Sequence, residues 1–336
     1  MSLAALETYL APLKAMLNRE GVSEVSINRP QEVWMEIRGD MHYEQVSELN
    51  LEHLKGLARL VAQYTNQNIS EEHPLLSATL PEGYRIQVVF PPAVEPGTIA
   101  FSIRKQTIMD FDLDAYEALG AFQNTAVEER EDAANVELRR LLDEGRIKDF
   151  LKLSILSKKN TIVSGGTSTG KTTFMNAVLK TIPSHERIIT VEDAREIDIK
   201  QIPNRVHLLV SKGGQGRAKV TTQDQIEACL RLRPDRIIVG ELRGAEAFSF
   251  LRAINTGHPG SIATLHADTP ALAFDQLVLM VMQAGVGMTR AEIKEYIKSV
   301  IDVVVQLKRG EKGRRFVSEV YFKHAQPLTK TVNEDL

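Results

Sequence analysis

Gly165-Gly166-Thr167-Ser168-Thr169-Gly170-Lys171-Thr172 decides the fold of this chain. The octet satisfies the phosphate-loop pattern G-x-x-x-x-G-K-[ST] at every fixed position. An apolar run, Asn160 to Ser164, precedes it, and a helical run, Lys171 to Lys180, follows. That strand, loop and helix order gives the pattern a mechanism. Glycines let the loop fold tightly enough for backbone N–H groups to face phosphate oxygens. The helix N-terminus adds positive potential at the same place. Nucleotide contact is therefore assigned to Gly165, Gly166, Thr167, Ser168, Thr169, Gly170, Lys171, Thr172 and Thr173. Lys171 is expected at the β- and γ-phosphates and Thr172 on Mg²⁺, so ATP and Mg²⁺ are the expected cofactors.

Downstream of the octet, strand and helix signals alternate. Strands are expected at Thr161 to Ser164, Arg187 to Val191, Val206 to Val210, Arg236 to Gly240 and Ser261 to Leu265. Helices are expected between most of them, for example Thr222 to Arg233 and Ala245 to Asn255. The alternation predicts an α/β unit with a mostly parallel sheet, a RecA-like P-loop domain over residues 149–336. Ligands of such sheets bind beyond the carboxyl ends of the strands, and three further signals fall there.

The first is Arg187-Ile188-Ile189-Thr190-Val191-Glu192-Asp193, an apolar strand ending in two acids. Beside a phosphate loop, Glu192 and Asp193 are placed to hold Mg²⁺, directly or through water. A solvated strand end, or the cap of a following turn, accounts for them equally well. The second is Arg236-Ile237-Ile238-Val239-Gly240-Glu241, a buried strand that delivers Glu241 to the catalytic edge. A carboxylate there orients or deprotonates the attacking water. The third is Ser261-Ile262-Ala263-Thr264-Leu265-His266. His266 is placed to sense the γ-phosphate, although a lone histidine is more often structural. His258 reads as a loop residue.

Upstream, residues 1–106 form a different unit. Leu3, Leu6, Leu10, Leu13 and Leu17 mark an opening amphipathic helix rather than a signal peptide. Ser23 to Asn28, Glu32 to Arg38, Tyr84 to Phe90 and Thr98 to Lys105 read as strands, and Leu51 to Tyr64 as a helix. This predicts a smaller α+β amino-terminal domain. Residues 107–148 are rich in Asp, Glu and Ala and read as a partly helical linker, with a helix over Asn135 to Leu156 and an acidic run, Glu128 to Asp132.

Composition narrows the function classes. A net charge of −3 provides no global field for nucleic acid or membrane. One cysteine, Cys229, excludes an internal disulfide framework and a cysteine-based zinc site, and a reducing compartment is expected. Ala271 to Met288 is the most apolar long stretch, but Asp275, Gln276 and Gln283 make it a buried helix rather than a membrane span. A cytoplasmic protein is expected.

The set "GGTSTGKTT", "ITVEDAREI", "RLRPDRIIVGELRGAEA" and "TGHPGSIATLHADTP" resembles, in order and spacing, the secretion (traffic) ATPases. In that superfamily these are the Walker A motif, the Asp box, the Walker B motif and the His box. "VSEVSINRPQEVWMEIRG" is similar to the amino-terminal domain of the hexameric ATPases of type IV secretion and conjugation systems. The resemblance implies a homo-hexamer with ATP between the two domains. It implies that Arg85 and Arg104 of the amino-terminal domain reach the phosphates, less firmly joined by Arg231, Arg233 and Arg243. It implies partners at the cytoplasmic face of the bacterial inner membrane: other secretion ATPases, a coupling protein and peripheral contact with the membrane itself. The output would be conjugative transfer and pilus biogenesis, and the long linker suggests a domain swap between subunits.

Two rivals remain open at this stage. ATPases of type II secretion and of type IV or tight-adherence pili share the four motifs. A hexameric, helicase-like nucleic-acid motor needs a basic aromatic channel, for which Lys212 to Arg217 is the best candidate, and direct nucleic-acid binding is not favoured.

Overall fold

The computed structural model describes residues 3–106, 112–125, 132–211 and 216–325. Among them, the strands build two sheets, one antiparallel and one mostly parallel, as the α/β reading requires.

The first sheet begins with helix α1 (Leu3–Leu17) and strands β1 (Val22–Arg29), β2 (Glu32–Ile37) and β3 (Asp40–Gln45). It continues through α2 (Leu51–Tyr64), β4 (Leu75–Thr79), β5 (Arg85–Val89) and β6 (Ala100–Arg104). The order is β3-β2-β1-β6-β5-β4. One face is apolar, and α1 and α2 cover it with Leu6, Leu10, Leu13, Leu54, Leu57 and Val61. On β1, Glu24, Ser26 and Asn28 recur at every second position, so they share one face. All three are nevertheless buried, because the second half of the molecule lies against them.

The linker holds α3 (Leu113–Ala118), α4 (Ala133–Asp143) and α5 (Ile147–Leu156). The single helix expected over Asn135 to Leu156 is broken in two. Gly145 takes a φ of 67°, a left-handed conformation that ends α4. Leu138, Leu141 and Phe150 then pack on Val303, Val305 and Phe322 of the second sheet. Most of the acidic run, residues 128–131, lies outside the described residues, while Asp132 caps α4 by accepting from the Ala134 N–H.

The second sheet contains β7 (Thr161–Gly165), β8 (Ile188–Glu192), β9 (Arg205–Leu209), β10 (Arg236–Val239), β11 (Ile262–Leu265), β12 (Val303–Arg309) and β13 (Arg315–Phe322). Around it lie α6 (Lys171–Leu179), α7 (Thr222–Cys229), α8 (Glu246–Asn255), α9 (Pro270–Gln283) and α10 (Arg290–Val300). The strand order is β13-β12-β7-β11-β10-β8-β9. Only β13 pairs antiparallel, with β12. Strands β7, β8, β10 and β11 are buried throughout, which is why they read as unbroken apolar runs. Their parallel pairing brings the carboxyl ends together at one edge. Helix α9 departs from expectation. It buries Ala273, Phe274, Leu277, Val278 and Val281 but leaves Leu272, Leu279 and Met282 exposed. Among the described residues no helix is long and apolar enough to cross a membrane.

The two halves share a polar seam. The buried Arg187 guanidinium donates from Nη1 to Asn28 Oδ1 at 2.6 Å and to Asn204, and Arg233 pairs with Glu36. Along the outer edge of β9, the Glu95 N–H donates to the His207 carbonyl and the Leu209 N–H to the Ala93 carbonyl, both at 2.9 Å. Arg217 and Lys219, in and next to the basic loop, pair with Glu71 and Glu72; residues 212–215 of that loop lie outside the described residues.

Candidate nucleotide site

Strand β7 ends at Gly165, the loop turns over residues 166–170, and α6 starts at Lys171. A Cβ at Gly165 would lie 3.0 Å from the Leu307 carbonyl oxygen, so only glycine fits beside β12. Gly170 has a φ of 86° and sits under the Arg315 side chain. The loop opens on a cavity of about 400 Å³, lined by Ser168 to Thr173, Glu192, Asp193, Glu196, Glu241, Arg243 and Arg315 among others.

A line of charge crosses the mouth of this cavity. Lys171 Nζ lies 2.9 Å from the Gly165 carbonyl oxygen and 3.3 Å from His266 Nδ1. His266 Nε2 lies 2.8 Å from Glu241 Oε1. Arg243 donates to Glu241 Oε2 at 2.5 Å and to Asp193 Oδ2 at 2.8 Å. A carboxylate only accepts and an ammonium only donates. His266 thus stands between the Lys171 ammonium and the Glu241 carboxylate. Burial holds the Lys171 ammonium below the usual lysine range, with Glu241 acting in the opposite direction.

Glu192 has a different place from the one its position in sequence suggests. It is buried, and both oxygens are taken. Oε2 accepts the N–H groups of Glu196 and Ile197, at 2.8 and 2.7 Å. Oε1 accepts from the Thr190 hydroxyl at 2.8 Å and from Arg195 at 3.3 Å. Burial pushes its carboxyl up, but hydrogen bonds from His207, the Ile197 N–H, Thr190 and the Glu196 N–H outweigh that and leave it below the usual range. Glu192 is thus the cap of the turn that follows its strand. That turn presents Glu196, whose Oε2 stands 3.3 Å from Thr172 Oγ1. Asn176 of α6 fixes the same turn through the Glu196 carbonyl, at 2.9 Å.

Glu196 and Arg315 are the residues that sequence reasoning missed. The signal for Glu196 was its place within "EDARE", one turn beyond Glu192. Arg315 had no local signal, because β13 reaches the loop only through tertiary pairing. Four arginines are placed away from the loop. Arg85 and Arg104 are opposite each other across β5 and β6 and line a separate cavity with Lys105 and Gln106. Arg233 belongs to the seam. Arg231 lines a cavity beside Arg252 on α8. His258 is a loop residue, as read, bonded through Nδ1 to the Pro234 carbonyl at 2.8 Å.

Among the described residues, no three His, Cys, Asp or Glu side chains converge as a metal cage. Thr172, Glu196 and Asp193 instead form an open set of hard oxygen donors. Such a set suits Mg²⁺ held mainly through substrate phosphates.

Comparison with known proteins agrees with this geometry. Residues 7–331 match the family described as "Type II/IV secretion system protein". The chain is 38% identical to the type IV secretion system protein VirB11 of Bartonella henselae, over 96% of this chain and 94% of that protein. It is also 38% identical to the PtlH homolog of Bordetella bronchiseptica, a type IV secretion system protein, over 96% and 97%. The crystal structure of the VirB11 ATPase from the Brucella suis type IV secretion system, in complex with sulphate, superposes with a TM-score of 0.89 at 36% identity, covering 95% of this chain and 94% of that one. With a complete phosphate loop, a carboxylate at the Walker B position and relatives of this kind over nearly its whole length, the chain belongs to the type II/IV secretion system protein family and is a nucleotide-binding ATPase of its type IV secretion branch.

Proposed function

We propose that this chain is a Mg-ATP-driven hexameric motor of a type IV secretion machine, with conjugative transfer and pilus biogenesis as its output. The observation that carries the reading is the line Lys171–His266–Glu241–Arg243–Asp193 across the loop mouth. Lys171 would release its carbonyl and histidine partners to meet the β- and γ-phosphates. Glu241, already held between His266 and Arg243, would accept the proton of the attacking water. His266 would report the state of that carboxylate to Lys171. Thr172 would hold Mg²⁺, with Glu196 and Asp193 reaching it through water. When bound, that ion offsets charge developing on the phosphates.

Arg85 and Arg104 stand apart from the phosphate loop of their own chain. We propose that they serve the site of an adjacent copy, where guanidinium groups stabilise the transferring phosphoryl group. A linker that swaps domains between subunits would bring them there. The proposed division is 1–106, 107–148 and 149–336, amended so that α4 moves with the ATPase unit on which it packs. The proposed partners are other secretion ATPases and a coupling protein at the inner membrane, contacted peripherally from the cytoplasm. The helicase-like alternative is disfavoured by the net charge of −3, and Arg217 and Lys219 are already paired with Glu71 and Glu72.

The test is plasmid transfer from the native host with Lys171→Ala in place of the wild-type gene. Loss of both transfer and nucleotide hydrolysis supports the proposal. Normal transfer with lost hydrolysis removes conjugation as the output. Hydrolysis retained above about a tenth of wild type removes the phosphate-loop assignment itself.

A further inference from the structure

The turn that follows β8 is neither helix nor strand, yet it sets where Glu196 stands. Three side chains fix it. Glu192 accepts the N–H groups of Glu196 and Ile197, at 2.8 and 2.7 Å. Asn176 of α6 donates to the Glu196 carbonyl at 2.9 Å and accepts the Asp198 N–H at 3.0 Å. Arg195 supplies the third hold. Its Nη1 donates to the Ile197 carbonyl at 2.6 Å and to Glu192 Oε1 at 3.3 Å. One guanidinium therefore ties a backbone carbonyl of the turn to the carboxylate that caps it. A planar fork of N–H donors suits that task, whereas an ammonium has no such fixed geometry.

Arg195 has a further partner, and it comes from the other half of the molecule. Its Nε donates to Glu95 Oε1 at 3.2 Å. Glu95 lies between β5 and β6 and is itself anchored on the second sheet. Its N–H donates to the His207 carbonyl of β9 at 2.9 Å, and its own carbonyl accepts the Thr98 hydroxyl at 2.7 Å. Beside it, Val94 bridges Leu208. Strand β9 pairs in parallel with β8, and Leu209 lies opposite Glu192 in that pairing. The amino-terminal half thus grips the edge strand beside β8 and offers a carboxylate to the guanidinium that steadies the turn after β8. The contacts run from Glu95 through Arg195 to the turn, where Glu196 Oε2 stands 3.3 Å from Thr172 Oγ1.

We propose that Arg195 is a positioning residue for the metal side of the nucleotide site, and that Glu95 makes its hold depend on how the amino-terminal half is seated. With Glu95 in place, the guanidinium is fixed from both halves and Glu196 is presented to Thr172. When the amino-terminal half lifts from β9, Arg195 loses one anchor and Glu196 is held less closely. The coupling is reciprocal, so Mg²⁺ and nucleotide at Thr172 and Glu196 favour the seated half by the same factor. The inference rests on the proposed use of Glu196 toward Mg²⁺ and adds to it a control that lies outside the ATPase half.

The test uses the full chain and a fluorescent ATP analogue. Mg²⁺ is titrated against nucleotide binding for wild type, Arg195→Ala, Arg195→Lys, Glu95→Gln, Glu95→Gln/Arg195→Ala and Glu196→Gln. Arg195→Ala should raise the half-maximal Mg²⁺ concentration about tenfold. Glu95→Gln should raise it about two- to fivefold, and the double variant should match Arg195→Ala alone. Arg195→Lys should fall between wild type and Arg195→Ala. Affinity in EDTA should stay at the wild-type value, which a general loosening of the fold would not spare. In the metal-free protein, amide exchange at Glu196 and Ile197 should quicken in both single variants. A Glu95→Gln chain with an unchanged Mg²⁺ requirement, or one whose effect adds in full to that of Arg195→Ala, overturns the proposal. So does an Arg195→Ala chain that binds nucleotide equally poorly with and without Mg²⁺. A shift in Glu196→Gln with none in Arg195→Ala overturns the role of Arg195 alone. No shift in Glu196→Gln removes the metal reading of Glu196 and this inference with it.

Discussion

Strands β8 and β10 run side by side and carry arginine–carboxylate pairs at both ends. At the amino end, Arg236 is fully buried. It meets Glu186 through two parallel bonds, Nε to Oε2 at 2.6 Å and Nη2 to Oε1 at 2.8 Å. Its remaining nitrogen donates to the carbonyls of Ile155 and Gly260. At the carboxyl end, Arg243 is half exposed and divides itself between Glu241 and Asp193. The same residue types on the same two strands thus do opposite jobs. The buried pair has no donor to spare and no room to move. The exposed set is paired well enough to be positioned and loosely enough to be rearranged by a phosphate.

The difference can be broken most directly at Glu241. Glu241→Gln should lower turnover by about 10²–10⁴-fold, with nucleotide binding retained in a fluorescent-nucleotide titration. Lost binding would show that the exposed end is structural after all. Next in size, Arg236→Ala should cost about 3–5 kcal/mol in urea unfolding, because buried Glu186 loses its bidentate partner and keeps only Lys158, 3.8 Å away. Arg243→Met should change the same quantity by less than about 1 kcal/mol. Equal losses would erase the distinction between the ends.

Glu196→Gln should raise the Mg²⁺ concentration that supports half-maximal nucleotide binding by about ten- to a hundredfold. Glu192→Gln should instead loosen the turn, seen as faster amide exchange at Glu196 and Ile197. If Glu192→Gln shifts the Mg²⁺ requirement more than Glu196→Gln does, the two roles are reversed. The smallest effect is a pH dependence at the carboxyl end. Burial holds the His207 imidazole below its usual range, with the Glu192 contact opposing it. Its folded pKa is depressed, so its contribution to stability is complete above about pH 6.5 and is lost as pH falls below that. In His207→Gln, unfolding free energy should fall less between pH 6.5 and 5 than in wild type. An unchanged slope would assign that dependence elsewhere.

The strands that flank the phosphate loop were legible because they are buried on both faces, where an apolar run has one meaning. Glu241 and His266 were legible as polar residues at the ends of such runs. Strand β3, Asp-Met-His-Tyr-Glu-Gln, was not, since it is mostly exposed and has no apolar alternation. Val303–Arg309 is apolar enough to read as a strand, but its neighbour is β7, some 140 residues earlier, and no local signal names that pairing. Arg315 enters the site by the same route. Glu192 shows the reverse difficulty. Its position at the strand end was clear, but its role depended on which N–H groups the next turn would aim at it. The separation of Arg85 and Arg104 from their own loop rests on how the two sheets stack, which the sequence of neither sheet contains.

The contact along the outer side of β9 has a further consequence. A parallel sheet that stops at an open strand offers unpaired N–H and C=O groups to any passing chain. Here the residues around Val94 occupy part of that border. The amino-terminal half therefore acts as a guard against edge-to-edge aggregation. The ATPase half produced alone would expose this border as a sticky rim, and its insolubility would reflect an uncovered edge rather than an unfolded core.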